Sequence, residues 1–351
     1  MLLQENTPLA SFTTFGVGGA ARWFVQASSE EEIAEAAAWA GEHAQPLFVL
    51  GGGSNLLVAD GGFNGIVVHI ALTGITRLST QQDAAQVIYQ AAAGESWDGF
   101  VECTVADNCA GIECLAGIPG TVGGTPVQNV GAYGQEVASS IECVRAYDLM
   151  EHRFVEFSAA ECGFAYRRSR FNSTDRGRYV VTRVDYRLTQ DGKPTLLYSD
   201  LQRSFRSGAN PTLAEVAAAV RHVRQAKGML LVEGDPNCRS AGSFFKNPVA
   251  TDGQVRHIAS VCGEDPPRFP AGPEHQGAAH KIPAAWLIEH AGFAKGYTLG
   301  AAGLSSRHTL ALINRGGASA QEILALATQI ADTVETHFGI RLEMEPVLVG
   351  F

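Results

Sequence analysis

The chain has 351 residues and a formal net charge of −10 at pH 7, and 46% of its residues are hydrophobic. That length predicts two or three domains, and the hydrophobic fraction excludes a disordered chain. An acidic chain has no general affinity for nucleic-acid backbones, so we expect no nucleic-acid partner. No apolar run is long enough to predict a membrane span, and the N-terminus lacks a signal-peptide pattern, so we expect a cytoplasmic protein.

Seven cysteines are spread along the chain without a CxxC pair. An odd number of separated cysteines favours free thiols over a disulfide framework or a zinc site, so we expect no bound metal. Cys238 lies close to Ser243 in sequence. No partner histidine follows from spacing, so the sequence does not predict a nucleophilic role for Cys238.

Residues 1–72 alternate strand-like and helix-like patterns, which predicts a small α/β subdomain with strands at 21–25, 46–50 and 65–70. Ser28 or Ser29 is expected to cap a helix that covers residues 33–40.

Two further regions follow. Residues 73–205 predict strands at 87–89 and 179–188 and an apolar helix at 97–110. Residues 211–351 predict a C-terminal α/β domain with helices at 211–227, 283–291 and 319–337, a surface loop at 264–280 and a terminal strand at 340–346.

Two glycine-rich segments are candidates for binding an anionic ligand. The first, GGGSNL at residues 51–56, follows a buried strand, and its glycines would let backbone amides approach a phosphate. Its spacing is neither a dinucleotide fingerprint nor a P-loop, and a plain tight turn explains it equally well. The second, residues 117–134, is rich in glycine but poor in charge, which favours a backbone lying against a large ligand over a structural loop.

Three other segments carry polar groups among apolar ones. Residues 240–248 place a hydroxyl, Ser243, beside two aromatic residues, and the alternative is a core strand with a lone serine. Residues 164–171 hold three arginines that could bind a carboxylate, or could form a solvated basic face. Glu343 and Glu345 would share one face of the terminal strand, where such pairs are more often exposed than catalytic.

Taken in order, these segments closely resemble the UDP-N-acetylenolpyruvoylglucosamine reductase family over nearly the whole chain. The matching pieces are TFGVGG from residue 14, GGGSNL from 51, GIPGTVGGTPVQNVGAYG from 117, FAYRRSRF from 164, AGSFFKNP from 241 and LEME from 342. The resemblance implies an α+β fold: a two-domain FAD cradle of the vanillyl-alcohol-oxidase type, followed by an α/β substrate domain. Tyr198 after the arginine segment points to the longer, tyrosine-loop subtype.

The resemblance also implies an NADPH-dependent oxidoreductase of peptidoglycan synthesis that binds FAD non-covalently. Hydride would pass from the flavin to the vinyl carbon of UDP-N-acetylglucosamine enolpyruvate. Arg167 matches the family's catalytic arginine, Ser243 its proton donor and Glu345 its catalytic glutamate. The expected partners are therefore small molecules, and we expect a monomer.

By the same resemblance, the substrate diphosphate would be bound by Tyr198, Lys227, Asn247 and His308. The flavin would lie on the two glycine-rich segments, and the residues expected to bind it are Gly51, Gly52, Gly53, Ser54, Asn55, Leu56, Ile118, Pro119, Gly120, Gly123, Gly124, Thr125, Gln128, Asn129, Gly131, Ala132 and Tyr133.

The chain departs from the family pattern in two places that matter for the site. Ala165 replaces a glycine before the Tyr-Arg pair, and no proline separates Glu343 from Glu345, so either glutamate could be the catalytic one, with Glu345 favoured. Two other functions are weighed: an FAD-dependent oxidase on the same fold, and a non-catalytic sugar-nucleotide-binding protein. The first gives no reason for the set Arg167, Ser243 and Glu345, and the second predicts the loss of Arg167 or Ser243.

Overall fold

The computed structural model describes residues 1–79, 85–206, 208–271 and 279–351. The strands are, in chain order, β1 (Gln4–Pro8), β2 (Ala20–Ala27), β3 (Leu47–Leu50), β4 (Leu56–Val58), β5 (Phe63–Ile70), β6 (Ile75–Ser79), β7 (Gln86–Ala92), β8 (Cys109–Ala110), β9 (Gly131–Ala132), β10 (Gln135–Glu136), β11 (Ile141–Asp148), β12 (Arg153–Ser158), β13 (Tyr179–Gln190), β14 (Val249–Thr251), β15 (Phe269–Pro270), β16 (Ala279–Lys281), β17 (Thr298–Leu299), β18 (Ala302–Leu304), β19 (Leu312–Asn314) and β20 (Val347–Val349). The α-helices are α1 (Glu30–Glu42), α2 (Trp97–Ala106), α3 (Ser199–Gln202), α4 (Leu213–Ala226), α5 (Asp252–Cys262), α6 (Ala284–His290) and α7 (Ala320–Phe338).

The first of two compact units comprises Met1–Thr7, Ala21–Gly53 and Asn64–Gln225. It holds a sheet of order β1-β2-β5-β3 and a larger antiparallel sheet of order β12-β11-β13-β7-β6, with β8 added to β13. Their buried faces share one hydrophobic core, in which Trp97, Phe100 and Tyr186 form an aromatic cluster. Burial of such large side chains is the main stabilising contribution to this unit.

The grouping of contacts differs from the predicted division of the chain. Residues of the predicted subdomains 1–72 and 73–205 contribute to the same core, and helix α4, predicted to open the third region, packs its valines into that core as well. The helix does so because its apolar residues recur at helical spacing along one face. The three-part division into 1–72, 73–205 and 211–351 stays a prediction about subdomains.

Helix α2 is shorter than the sequence predicts. It ends at Ala106, before the positive φ of 54° at Asn108, and the predicted last residues of the helix instead form β8, which pairs with β13. A left-handed residue cannot continue a right-handed helix. The amide of Asp191 then donates to the Asn108 carbonyl, which fixes the turn.

The second unit comprises Pro8–Ala20, Ser54–Phe63 and Ala226–Phe351. It contains three small sheets, of order β14-β16-β15, β17-β18-β19 and β20-β4. The long helix α7 packs one face into the hydrophobic core of this unit, and that face includes Ile323, Ile330 and Phe338. The Asp60 carboxylate accepts the amides of the first two residues of α7, which satisfies donors that a helix cannot pair internally.

Two predictions in this unit need correction or qualification. The terminal strand predicted at 340–346 is wrong as a regular strand: it makes an isolated antiparallel bridge between Met344 and Phe245, and the strand that follows is β20. Pro346 interrupts the pattern because it has no amide to donate. Within the predicted loop 264–280, β15 and β16 pair, and residues 272–278 lie outside the described residues.

In the described part of the chain, no helix is both long enough and apolar enough to cross a membrane.

The N-terminus of α7 offers a test of the fold. Ser319 accepts the Glu322 amide at 3.0 Å, and the Glu322 carboxylate accepts the Ser319 amide at 2.9 Å. We expect Ser319→Ala to lower the free energy of unfolding by about 1 kcal/mol, because one reciprocal hydrogen bond of this capping box is lost. Urea denaturation monitored by circular dichroism measures the change.

The control for that test is Ser260→Ala, at an exposed serine inside α5 that bonds only the preceding turn. This variant should leave the stability unchanged or slightly raised, since alanine favours helix interiors. Equal stabilities for Ser319→Ala and the unsubstituted chain would contradict the capping role.

Candidate active site

The two glycine-rich segments meet through their backbones in the first unit. A Cβ atom added to Gly52 would lie 2.7 Å from the Cα atom of Gly120, and one added to Gly51 would lie 3.0 Å from the Thr121 hydroxyl. Such distances leave no room for a side chain on Gly52. The two segments therefore form one close-packed ledge of backbone around Gly51, Gly52 and Gly120, and a backbone without side chains can approach a phosphate or a flat ring system closely.

Thr121 is a candidate ligand residue that the sequence did not single out. Its Oγ1 atom is buried and has no hydrogen-bond partner among the described residues. A buried polar atom without a partner costs free energy, so a bound ligand is a natural explanation. The sequence signal for it is its position between Gly120 and Gly123, inside the segment that is expected to bind the flavin.

Backbone hydrogen bonds fix the same segment to the loop before α2. The amides of Val122 and Gly123 donate to the carbonyls of Glu95 and Ala93, and the Trp97 amide donates to the Gly120 carbonyl. The ledge is thus bonded to the loop before a buried helix start, which fixes its backbone. Preformed sites of this kind bind with less loss of conformational entropy.

Two of the residues expected to bind the flavin use their side chains inside the protein. Asn129 donates to the Glu136 carboxylate and to the Ala165 carbonyl and accepts the Ala138 amide, and the Thr125 hydroxyl is 2.6 Å from that of Tyr186. Thr125 and Asn129 are 3% and 1% exposed. Any contact that they make with a cofactor would therefore come from their backbones.

Arg167 stands at the tip of a tight turn in the first unit. The turn is closed by reciprocal backbone hydrogen bonds between Ala165 and Arg168, and Arg167 has a φ of 54°. Its guanidinium Nη2 donates to the Gly131 carbonyl at 2.8 Å, so the cation is held on the hairpin of the glycine-rich segment. Non-glycine residues in this conformation are strained and concentrate at functional sites. Ala165, the departure from the family pattern, is not among the residues with positive φ.

The neighbouring arginines have other surroundings. Arg168 is exposed, whereas Arg170 pairs with Asp175 at 2.8 Å and stacks over the Phe157 ring. Arg170 is therefore a structural residue. Of the arginine segment, the structure brings Arg167 to the segment expected to bind the flavin.

Ser243 lies in the second unit on an extended stretch that leads into two fully buried aromatic residues, Phe244 and Phe245. Gly242 before it has a φ of 70°, and the Thr14 hydroxyl donates to the Ser240 carbonyl at 2.6 Å. Packing on one side and hydrogen bonding on the other fix the backbone on both sides of the serine. Thr14 is a supporting residue that sequence reasoning did not identify, although it belongs to the matching segment at residues 14–19.

The structure brings Glu345 next to the serine segment. The Glu345 amide donates to the Phe244 carbonyl at 2.9 Å, and the Asn55 side chain donates to the Glu345 carbonyl at 3.2 Å. Asn55, expected to bind the flavin, therefore also positions the glutamate. Glu343 lies differently: its side chain is 72% exposed and pairs with Lys246 at 2.6 Å. This pairing favours Glu345 as the functional carboxylate and gives Lys246 a structural partner.

The residues expected to bind substrate lie in both units. Tyr198 lies in the first, partly exposed, with its ring edge-on to Tyr133 at 5.6 Å. In the second unit the Asn247 Oδ1 atom accepts the Ala284 amide at the start of α6, which leaves its NH₂ group as the donor for a ligand.

Lys227 and His308 lie close enough to interact electrostatically. Burial, followed by the positive charges of Lys227 and Lys295, lowers the pKa of His308 to about 4. The Leu310 amide donates to the His308 Nδ1 atom at 3.1 Å, so that nitrogen is unprotonated. The pair thus consists of a cation and a neutral imidazole that can donate through Nε2, which suits an anionic ligand.

The surroundings of Cys238 do not activate its thiol. Its thiol donates to the Leu230 carbonyl at 2.7 Å, and burial raises its pKa. A buried thiol with a raised pKa is a poor nucleophile, in agreement with the sequence analysis.

Known proteins resemble this chain over its whole length. Residues 21–152 match the family model described as an FAD binding domain, and residues 235–349 match the C-terminal domain of UDP-N-acetylenolpyruvoylglucosamine reductase. Proteins named UDP-N-acetylenolpyruvoylglucosamine reductase from Thermobifida fusca and Streptomyces coelicolor are 44% and 43% identical to it, covering 99% of this chain and 98% and 90% of their own lengths.

A crystal structure supports the same relationship. That of the UDP-N-acetylenolpyruvylglucosamine reductase from Thermus caldophilus has a TM-score of 0.67 at 26% identity, over 99% of this chain and 100% of that one. The predicted α+β fold with an FAD cradle, the FAD cofactor and the oxidoreductase class are confirmed. This chain belongs to the UDP-N-acetylenolpyruvoylglucosamine reductase family.

Proposed function

We propose that this chain reduces UDP-N-acetylglucosamine enolpyruvate to UDP-N-acetylmuramate with NADPH, through bound FAD, as a step of peptidoglycan synthesis. The observation that carries the proposal is the hydrogen bond from the Glu345 amide to the Phe244 carbonyl, because it joins the segment of the predicted glutamate to the segment of the predicted proton donor. The names of the relatives and the FAD-binding match support the same reaction.

The residues of the first unit fit FAD. Gly51, Gly52 and Gly120 would hold it through the ledge of backbone amides, and the buried Thr121 hydroxyl would gain a partner. FAD, when bound, supplies the hydride that NADPH has delivered to it.

Arg167 and Ser243 would have complementary catalytic roles: the arginine would stabilise charge and the serine would donate a proton. Addition of hydride to an unsaturated carboxylate leaves negative charge on the carboxylate side and one carbon that lacks a proton. The Arg167 guanidinium would stabilise that charge with a planar pair of donors. The Ser243 hydroxyl would give its proton to the carbon, which a weak acid can do when the acceptor is strongly basic and the donor is held in place.

Glu345 is the third catalytic residue that we propose, since its amide is bonded to the residue that directly follows Ser243. Tyr198, Lys227, Asn247 and His308 would bind the diphosphate of the sugar nucleotide. We further propose that the protein acts as a monomer in the cytoplasm, with small molecules as its partners.

Ser243→Ala tests the proton donor. Reduction of the bound flavin by NADPH should remain nearly as fast, while its reoxidation by the enolpyruvyl substrate should slow by more than about a hundredfold, because proton donation belongs to the second half-reaction alone. Stopped-flow absorbance of the flavin follows both steps. Ser260→Ala, at an exposed serine of α5, is the matched control and should leave both rates unchanged. Fast reoxidation in Ser243→Ala would exclude the serine as donor.

Arg167→Lys tests the stabilising cation. We expect reoxidation by substrate to slow by about tenfold or more, since a lysine ammonium keeps the charge but not the planar fork. Arg168→Lys, one residue away and exposed, is the matched control and should behave like the unsubstituted protein. If the two variants behaved alike in stopped-flow measurements, the assignment of Arg167 would fail.

The lowered pKa of His308 predicts a dependence of stability on pH. The unfolded chain binds a proton near the ordinary pKa of 6.5, but the folded chain does so only near pH 4. The contribution of neutral His308 is therefore complete above about pH 6.5 and is lost as the pH falls towards 4. The difference in free energy of unfolding between the unsubstituted protein and His308→Asn should shift in that direction, as measured by urea denaturation at pH 7, 5.5 and 4. A difference that stays constant over this range would contradict the lowered pKa.

A further inference from the structure

The segment that carries Tyr198 lacks regular structure of its own. Residues 192–197 form neither helix nor strand, and the side chains of Leu197 and Tyr198 are 72% and 45% exposed. Helix α3, which begins at Ser199, is a single short turn. The Tyr198 carbonyl accepts the Leu201 and Gln202 amides of this turn, but no strand of the described residues pairs with the segment before it, so contacts of individual residues help to set the position of Tyr198.

Several contacts attach this segment to the hairpin β9–β10 or to Glu113 and Cys114, and in one of them the Cys114 thiol donates to the Thr195 carbonyl at 3.1 Å. The Thr195 amide donates to the Glu113 carboxylate at 2.8 Å. Leu197 lies so close to Gly134 that a Cβ atom on that glycine would be 3.0 Å from the Leu197 Cβ atom. The Tyr198 ring meets Tyr133 edge-on.

Glu113 is the buried member of this set. Its residue is 0% exposed, and its carboxylate accepts three hydrogen bonds: from the Thr195 amide, from the Gly111 amide at 2.8 Å and from the Gln135 side chain at 2.8 Å. All three donors are neutral. Burial of a carboxylate is costly unless its oxygens are bonded, so removal of Glu113 would leave three inward-pointing donors without an acceptor.

Gln135 joins Glu113 to the hairpin that carries Tyr133. The Gln135 side chain donates to Glu113 and accepts the Cys114 amide at 2.7 Å. One buried carboxylate thus connects the start of the tyrosine segment with strand β10. Tyr198 follows Thr195 by three residues, and Tyr133 precedes Gln135 by two residues.

Arg224 is a further partner of Tyr133. This arginine of α4 is 8% exposed, donates to the Gly117 carbonyl at 2.9 Å and forms a side-chain hydrogen bond with Tyr133. Tyr133 is therefore fixed, and it gives Tyr198 a rigid surface to pack against. Residues locked in this way are what a binding site needs in order to hold a ligand-contacting side chain in position.

We infer that Glu113 is a positioning residue for substrate binding. By bonding both Thr195 and the hairpin β9–β10, it keeps Tyr198 against Tyr133 before the sugar nucleotide binds. This inference rests on the proposed function, in which Tyr198 contacts the diphosphate. Glu113 itself touches neither substrate nor flavin in this scheme. Its effect should therefore appear in the affinity for the sugar nucleotide and in the order of residues 195–198.

Glu113→Ala in the flavin-loaded protein tests the inference in two ways. Hydrogen–deuterium exchange of peptides covering residues 195–198 should become at least about tenfold faster, and the KM for the enolpyruvyl substrate should rise by about tenfold or more with a smaller change in kcat, as expected for the loss of a hydrogen bond to a charged group. Glu113→Gln, which keeps one acceptor oxygen, should restore part of both properties and guards against poor folding of the alanine variant.

Asp148→Ala is the matched control. Asp148 is a 1% exposed carboxylate of the same unit that bonds Arg178 and the amides of its own turn. This variant should lose stability without faster exchange at residues 195–198 and without a higher KM. If it gave the same exchange and KM as Glu113→Ala, both effects would reflect general destabilisation, and the inference would be overturned.

Two other results would also overturn it: unchanged exchange at residues 195–198 in Glu113→Ala, or faster exchange with an unchanged KM. Failure of the proposed function is a separate outcome, because it would appear as absence of turnover in the unsubstituted protein. The exchange experiment would then still decide whether Glu113 holds the segment.

Discussion

The candidate site depends on one constraint: the backbone polar groups of its buried irregular segments must find hydrogen-bond partners. Helices satisfy such groups internally and strands satisfy them against neighbouring strands, but the segments that carry Arg167, Ser243 and Tyr133 are mostly turns and irregular stretches. Particular side chains supply some of their partners: Asn129 donates to the Ala165 carbonyl in the turn of Arg167, and Thr14 donates to the Ser240 carbonyl before Ser243. The shape of the site therefore depends on a small number of polar residues that need not contact a ligand.

This constraint explains why residue type alone is a poor guide to role. Asn55 and Asn129 both lie in glycine-rich segments and were both expected to bind the flavin. The Asn129 side chain donates to Glu136 and to the Ala165 carbonyl, and the Asn55 side chain donates to the backbone of Glu345. An amide side chain offers two donors and one acceptor group, which is why it serves so well as a bridge between non-repetitive backbones.

The sequence predicts regular elements well and their ends less well. Helices α1, α6 and α7 appear close to where periodicity places them, and α1 begins after Ser29, one of its two predicted caps, because both signals are local. The break at Pro346 also has a local cause, because proline has no amide hydrogen to donate. The end of α2 depends instead on the pairing of β8 with the distant strand β13, which no local pattern contains. For the same reason the sequence does not identify Glu113 and Arg224 as part of the site. Neither residue lies in a recognisable sequence motif, and the partners of both are far away in sequence.

The net charge of the chain explains why the candidate site needs local cations. A chain with a net charge of −10 repels an anionic substrate at long range, so attraction must come from a few local cations whose fields are little screened. Arg167 on its strained turn and Lys227 beside a neutral His308 are cations of this kind. Had His308 been protonated, it would have added charge at the cost of repulsion with Lys227 and Lys295. Burial keeps it neutral, which preserves a hydrogen-bond donor for the ligand and leaves the lysines to supply the charge.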